Sequence, residues 1–265
     1  MFPYLVSFTI NGHLFRVPTY GLLLSIAFSS AYFWSLRRAL KLNESPKHIE
    51  NLFLLVILGA ILGGRLFHVF FEEFDYYLHH LGKIFAVWEG GYTFYGAVMG
   101  AALAMYGYAK WAKLDYLQFV DIATPSVMLG LIIGRWGCFF AGCCWGKPCP
   151  IPWLGVTFSH KDSFTSAHDI ALHPSQLYES FGALFILFYL ERVFARRRFP
   201  GQVFFTGLIG YALLRFVVEF FRGDEYRGYV FDGLLSYSQL VSLVIIPFAL
   251  SGMIIYSARS SQSKK

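Results

Sequence analysis

Seven nearly uninterrupted apolar stretches restrict the fold of this chain more than any other feature. They run roughly Thr19–Trp34, Leu52–Phe71, Tyr92–Ala109, Phe119–Phe140, Leu177–Phe194, Val203–Phe221 and Leu234–Tyr256. Most approach the roughly 20 residues an α-helix needs to cross about 30 Å of hydrocarbon. A surface helix of a soluble protein keeps one polar face, whereas these stretches are apolar all round. The composition agrees, with 56% hydrophobic and 14% charged residues, against about 25% charged in a soluble domain. A disordered or nucleic-acid-binding chain is excluded, because neither keeps so much apolar surface in water. The expected fold class is all-α, a polytopic integral membrane protein of about seven transmembrane helices.

The basic residues orient such a fold. Arg37, Arg38, Lys41 and Lys47 follow the first stretch, Lys110 and Lys113 the third. Arg192, Arg196, Arg197 and Arg198 follow the fifth, and Arg259, Lys264 and Lys265 end the chain. If the spans alternate, these fall on one side. The other side carries Arg16, Lys83, Lys147, Lys161, Arg222 and Arg227. The richer side is expected to be cytoplasmic, with the N-terminus outside and the C-terminus inside. The opening MFPYLVSFTINGHLFRVPTYG has no basic start and no small-residue cleavage site, so no removable signal peptide is expected. No linker divides residues 1–265, which read as one transmembrane domain with a long outer loop, about 141–174, forming a cap.

Ionisable residues inside apolar spans are costly and mark function by default. Arg65, Arg135, Arg215 and Glu219 all lie late in spans that run outwards, while Tyr20 and Tyr95 open spans that run inwards. All therefore belong to the outer half of the membrane. Arg215 and Glu219 are four apart and can pair on one helix face; Arg65 can instead snorkel, and the tyrosines can belong to an interfacial belt. Arg135 is flanked by Gly134 and Gly137, which open space beside it. Three arginines at one level with too few acids point to a bound anion, and the guanidinium fork suits phosphate. In an outer leaflet that anion is a phospholipid head group.

The stretches GRWGCFFAGCCWG, HPSQLYE and GYALLRFVVEFFR resemble those of the bacterial prolipoprotein diacylglyceryl transferases. So do PTYGLLLS, WEGGYTFYGA and LSYSQLVSL, and the resemblance runs from Pro18 to Leu243. It implies seven spans, an outer-facing site in the bacterial inner (plasma) membrane, and transfer of the diacylglyceryl group of phosphatidylglycerol to the thiol of a lipobox cysteine. The partners implied are phosphatidylglycerol, the preprolipoprotein signal peptide and membrane lipid, with no nucleic acid. By position, Arg135, Arg215 and Glu219 match the family's motif residues, Tyr20 matches its first-span tyrosine, and His173, Ser175, Gln176 and Tyr178 fall in the shared HPSQLYE. Where the family has G-R-x-G-N-F-x-N-x-E, this chain has Cys138, Ala141 and Cys143 in place of Asn, Asn and Glu. Tyr95 stands where the family has a histidine.

The catalytic set expected is thus Arg135, Arg215, Glu219 and Tyr95. Substrate binding falls to Tyr20, Arg65, Arg135, His173, Gln176, Tyr178 and Arg222. The arginines would stabilise the departing phosphate, and the base would be Tyr95, His68 or the substrate thiolate. Cys138, Cys143, Cys144 and Cys149 form a C-x4-C-C-x4-C cluster. A disulfide tying the loop to the helix end is the leading expectation in an oxidising compartment. Alternatives are a reactive thiol beside Arg135, simple packing, or a metal held with His160, His168 or His173, although the spacing is not a standard zinc pattern. No cofactor is expected and no metal ligand is assigned. Two other functions stay open: a paralogue acting on another lipid or acceptor through a reactive cysteine, and a non-enzymatic membrane thiol or metal-binding protein.

Overall fold

The computed structural model describes residues 2–10, 13–151, 153–223 and 228–262. Arg227, Lys264 and Lys265, counted above for orientation, lie outside them. Long helices dominate: α1 (Thr19–Lys41), α2 (Pro46–Phe67), α4 (Phe94–Trp111), α5 (Tyr116–Ala141), α6 (Ser175–Ala195), α7 (Gln202–Glu219) and α8 (Tyr237–Gln262). A short α3 (Phe74–His79) follows α2. Each long helix overlaps one apolar stretch. Among the described residues, four segments are long and apolar enough to cross a membrane: Pro46–Glu72, Tyr116–Ala141, Gln202–Glu219 and Tyr237–Gln262. The chain is a mostly helical membrane protein.

Not everything is helical. An antiparallel hairpin, β1 (Tyr4–Ile10) and β2 (His13–Pro18), precedes α1. Phe8 and Phe15 face each other across it with stacked rings 5.8 Å apart. In the long loop after α5, β3 (Val156–Thr157) pairs with β4 (Ala171–Leu172), and Phe158 and Leu172 are fully buried there. β5 (Tyr229–Val230) pairs with β6 (Leu235–Ser236) just before α8.

The chain divides into two compact units, Met1–Trp34 with Val120–Lys265, and Ser35–Phe119. In the first, α7 packs on both α6 and α8. Met128, Leu187, Leu190 and Val203 form a core shared by α5, α6 and α7. The buried Asp121 of α5 accepts backbone hydrogen bonds from Gly201 (2.8 Å) and Phe204 (2.9 Å), so a carboxylate caps the N-terminus of α7. An anion there satisfies free N–H groups and complements the helix dipole. Ser236 and Gln239 form a reciprocal capping box at the start of α8, the backbone N–H of each donating to the side chain of the other (3.0 and 3.2 Å).

The second unit is built on close backbone contact. Gly59, Gly63 and Gly64 of α2 meet Gly96, Ala97, Gly100 and Ala104 of α4. A Cβ on Gly100 would strike the carbonyl oxygen of Gly59, and one on Gly63 that of Gly96. Small residues four apart let helices approach closely where lipid supplies no hydrophobic drive. Thr93 caps α4 by accepting the backbone N–H of Gly96 (3.3 Å).

Candidate active site

In the first unit, three helices bring four charged side chains into one buried chain. Arg135 of α5 donates to Glu179 of α6 (2.8 Å), which also accepts the Tyr211 hydroxyl (3.0 Å). The second Glu179 oxygen lies 3.9 Å from Arg215 of α7. Arg215 then pairs with Glu219, one turn on (2.8 Å), and donates to Ser238 of α8 (3.2 Å). The Glu179 side chain is 0% exposed, and those of Arg135 and Arg215 are 15% and 13% exposed.

The expectation of unneutralised arginines is corrected here. Arg135 and Arg215 are matched by Glu179 and Glu219. Arg222, also buried, lies just beyond α7, within electrostatic reach of Cys144. With Arg135 and Arg215 each paired to a carboxylate, the attraction for an anion is smaller than the sequence suggested. Arg135 Nε is buried with no hydrogen-bond partner among the described residues.

Glu179 is the residue that sequence reasoning missed. It closes HPSQLYE and sits near the start of an apolar span, so the rule that singled out the arginines applied to it as well.

Tyr20, on α1, packs over Gly137 of α5, where a Cβ would lie 3.1 Å from the tyrosine ring. The glycine beside Arg135 thus admits an aromatic ring from α1.

The HPSQLYE segment turns inward. His173 Nδ1 and the Tyr178 hydroxyl are 3.0 Å apart, and both rings pack edge-on to Phe221 (5.4 and 5.5 Å). Ser175 donates to the Cys144 carbonyl (2.8 Å) and Gln176 to the Cys143 carbonyl (2.7 Å). These residues hold the turn that leaves α5.

That turn carries the cysteines, and all four are free thiols, so the expected disulfide is not formed. Gly142 and Cys144 both take left-handed backbone (φ 77° and 62°), an uncommon conformation for a side chain with a Cβ. The Sγ atoms of Cys138, Cys143 and Cys144 lie within 4.8 Å of one another. Hydrogen bonding with Cys138 and Cys143, and then the charges of Arg222 and Arg135, hold the Cys144 thiol well below its ordinary range. The bonds with Cys138 and Cys144, with burial, push Cys143 up. Cys149 stands apart, its thiol donating to the Ile151 carbonyl (3.4 Å). The histidines do not join the group: His160 accepts the Asp162 backbone N–H (3.2 Å), and His168 lies 3.3 Å from the Phe158 carbonyl.

In the second unit Arg65 is buried, and its guanidinium is occupied. It donates to the backbone carbonyls of Lys83, Ile84 (3.1 Å), Gly90 and Gly91 (3.3 Å), and lies over the Tyr77 ring (5.2 Å). It organises the loop between α3 and α4, which leaves it fewer donors for the anion expected from the sequence. His68 pairs with Glu72 (2.8 Å). Tyr95, in the first turn of α4, is half exposed against Phe94.

Comparison with known proteins shows the family. The family model for prolipoprotein diacylglyceryl transferase matches residues 6–255. A phosphatidylglycerol–prolipoprotein diacylglyceryl transferase of Methylococcus capsulatus is 34% identical over 241 residues, covering 89% of each chain. Proteins of the same name from Legionella pneumophila and Geobacter sulfurreducens are each 36% identical, covering 92% and 94% of this chain and 93% and 94% of their own. With the family model matched over nearly its whole length, this chain belongs to the prolipoprotein diacylglyceryl transferase family.

Proposed function

We propose that this protein transfers the diacylglyceryl group of phosphatidylglycerol to the thiol of a lipobox cysteine in a preprolipoprotein, at the outer face of the bacterial inner membrane. The observation that carries the reading is the buried Arg135–Glu179–Arg215–Glu219 network, in a chain whose relatives bear the name of that reaction. When the glyceryl carbon–oxygen bond breaks, negative charge grows on the departing phosphate ester. Fixed cations act most strongly where charge develops, in a site dry enough to leave them unscreened. Glu179 and Glu219 hold the two guanidinium planes where the phosphate charge develops.

The reading takes α1, α2, α4, α5, α6, α7 and α8 as seven spans of one membrane domain. It places the N-terminus outside, the C-terminus in the cytoplasm and the loop after α5 as an outer cap. The charge asymmetry of the loops supports this orientation. Tyr95 and Arg65 stay in the reading as residues near the outer surface. The Tyr95 hydroxyl is read as a hydrogen-bond donor, and deprotonation of the acceptor thiol needs another source.

The test is reconstitution. Purified protein in liposomes containing phosphatidylglycerol is given a lipobox peptide, and the peptide is weighed by mass spectrometry. A diacylglyceryl mass gain that disappears with Arg135→Ala is expected. An unmodified peptide with the wild type, with and without reductant, defeats the proposal.

A further inference from the structure

A thiol becomes a strong nucleophile only once its proton has left. Three cysteines converge beside the arginine network in a turn built to bring them together. Cys138 sits in the last turn of α5. The backbone N–H groups of Gly142 (2.9 Å) and Cys143 (3.2 Å) bond back to its carbonyl. The left-handed residues Gly142 and Cys144 then fold the chain over the helix end. Gln176 and Ser175 clamp the carbonyls of Cys143 and Cys144 from α6. A non-glycine residue held left-handed is strained, and the surroundings must offset that strain. The result is three free sulfurs, all within 4.8 Å of one another.

A disulfide joins two sulfurs and has no use for a third. A covalent lipid carrier fails on chemistry, because a thioether on a cysteine has a poor leaving group for the second transfer. A thiophilic cation uses all three. Zinc–sulfur bonds of about 2.3 Å in a tetrahedron place the sulfurs about 3.8 Å apart, so the three need to close by no more than about 1 Å. Three protein ligands with the fourth position open is the pattern of catalytic, rather than structural, zinc. Three thiolates and a divalent ion carry one net negative charge, which Arg222 and Arg135, both within electrostatic reach of Cys144, offset.

We infer that Cys138, Cys143 and Cys144 form a three-thiolate site for a zinc-class divalent cation whose fourth ligand is the thiol of the acceptor cysteine. The site stands on its own geometry; only its role in transfer rests on the reaction proposed above. The acceptor S–H loses its proton to water as the sulfur binds the metal, since a coordinated thiol is deprotonated outright. A sulfur lone pair then forms the bond to the glyceryl carbon. The carbon–oxygen bond breaks, its electron pair stays on oxygen, and glycerol phosphate departs. The thioether product is a weak ligand and leaves. No electron changes hands with any other reagent.

The experiment uses the full chain in detergent, reduced and stripped with a chelator, and titrated with cobalt(II). One equivalent is expected, with sulfur-to-cobalt charge-transfer absorption and the intense visible bands of a tetrahedral ion. Cys149→Ser keeps this spectrum, and Cys138→Ser, Cys143→Ser and Cys144→Ser each lose it. Because a variant can fail through misfolding, wild-type protein is also alkylated with and without zinc and weighed intact. Zinc is expected to protect three of the four cysteines. Equal alkylation of all four with and without zinc overturns the site. A lipobox peptide should then shift the visible bands while its Cys→Ser form does not; identical spectra overturn the fourth-ligand role. None of these readouts needs phospholipid. Intact cobalt binding without peptide lipidation therefore counts against the transferase reading alone.

Discussion

Arg65 and Arg135 look alike in the sequence: each lies late in an apolar span, beside glycine. Arg65, in the Ser35–Phe119 unit, gives its donors to four backbone carbonyls of one loop. Arg135 meets a carboxylate from another helix and keeps a buried Nε without a hydrogen-bond partner among the described residues. Carbonyl dipoles fix a guanidinium permanently and leave it little to offer a substrate. The Glu179 carboxylate fixes Arg135 at one edge and leaves its Nε over. A buried arginine therefore marks chemistry only when its partners are counted.

The largest effect expected is that of Glu179→Ala. It strands the buried Arg135 guanidinium and removes the second carboxylate beside Arg215, and breaking a buried pair costs about 3–5 kcal/mol. Thermal unfolding in detergent should show a large drop, with transfer activity lost. Arg135→Ala should lower the transfer rate by about 10²–10³-fold, the range for removing one donor to developing charge, measured by timed peptide lipidation. Gly100→Ala, which forces α2 and α4 apart, should cost about 1–3 kcal/mol as overpacking does. Its unfolding shift should come with a transfer rate near that of the wild type. Arg65→Lys keeps the charge but not the fork, and should cost about 1–2 kcal/mol. Limited proteolysis should then cut faster between residues 81 and 91, with transfer within a few fold of the wild type. If Arg65→Lys abolishes transfer while leaving the loop intact, the contrast between the two arginines collapses.

The apolar stretches were legible because hydrocarbon permits little else but helix. The fifth was expected over Leu177–Phe194 and the helix covers Ser175–Ala195; the fourth was expected over Phe119–Phe140 and covers Tyr116–Ala141. Helical hydrogen bonding does not stop where the apolar residues do, so the helices run on into polar ends. The β1–β2 hairpin was missed although Asn11-Gly12 is a strong hairpin signal in the sequence. At the site, Arg215 and Glu219 were readable because one helix fixes a spacing of four. The partner of Arg135 was not, since packing of α5 against α6 decides it. The cysteine triad was visible as spacing, but its closeness depends on two left-handed residues in one turn.

Asp121 has a bearing on how a two-tailed lipid enters. At one end of α5 its carboxylate grips the first N–H groups of α7. Fourteen residues on, about 21 Å along a helix, Arg135 is joined through Glu179 to Arg215 of the same α7. The two helices are thus linked directly at one end and through α6 at the other. Parting α5 from α7 would take the backbone donors from the buried Asp121 carboxylate and pull on the Arg135–Glu179–Arg215 bridge, so a sideways doorway for a lipid is costly to open there.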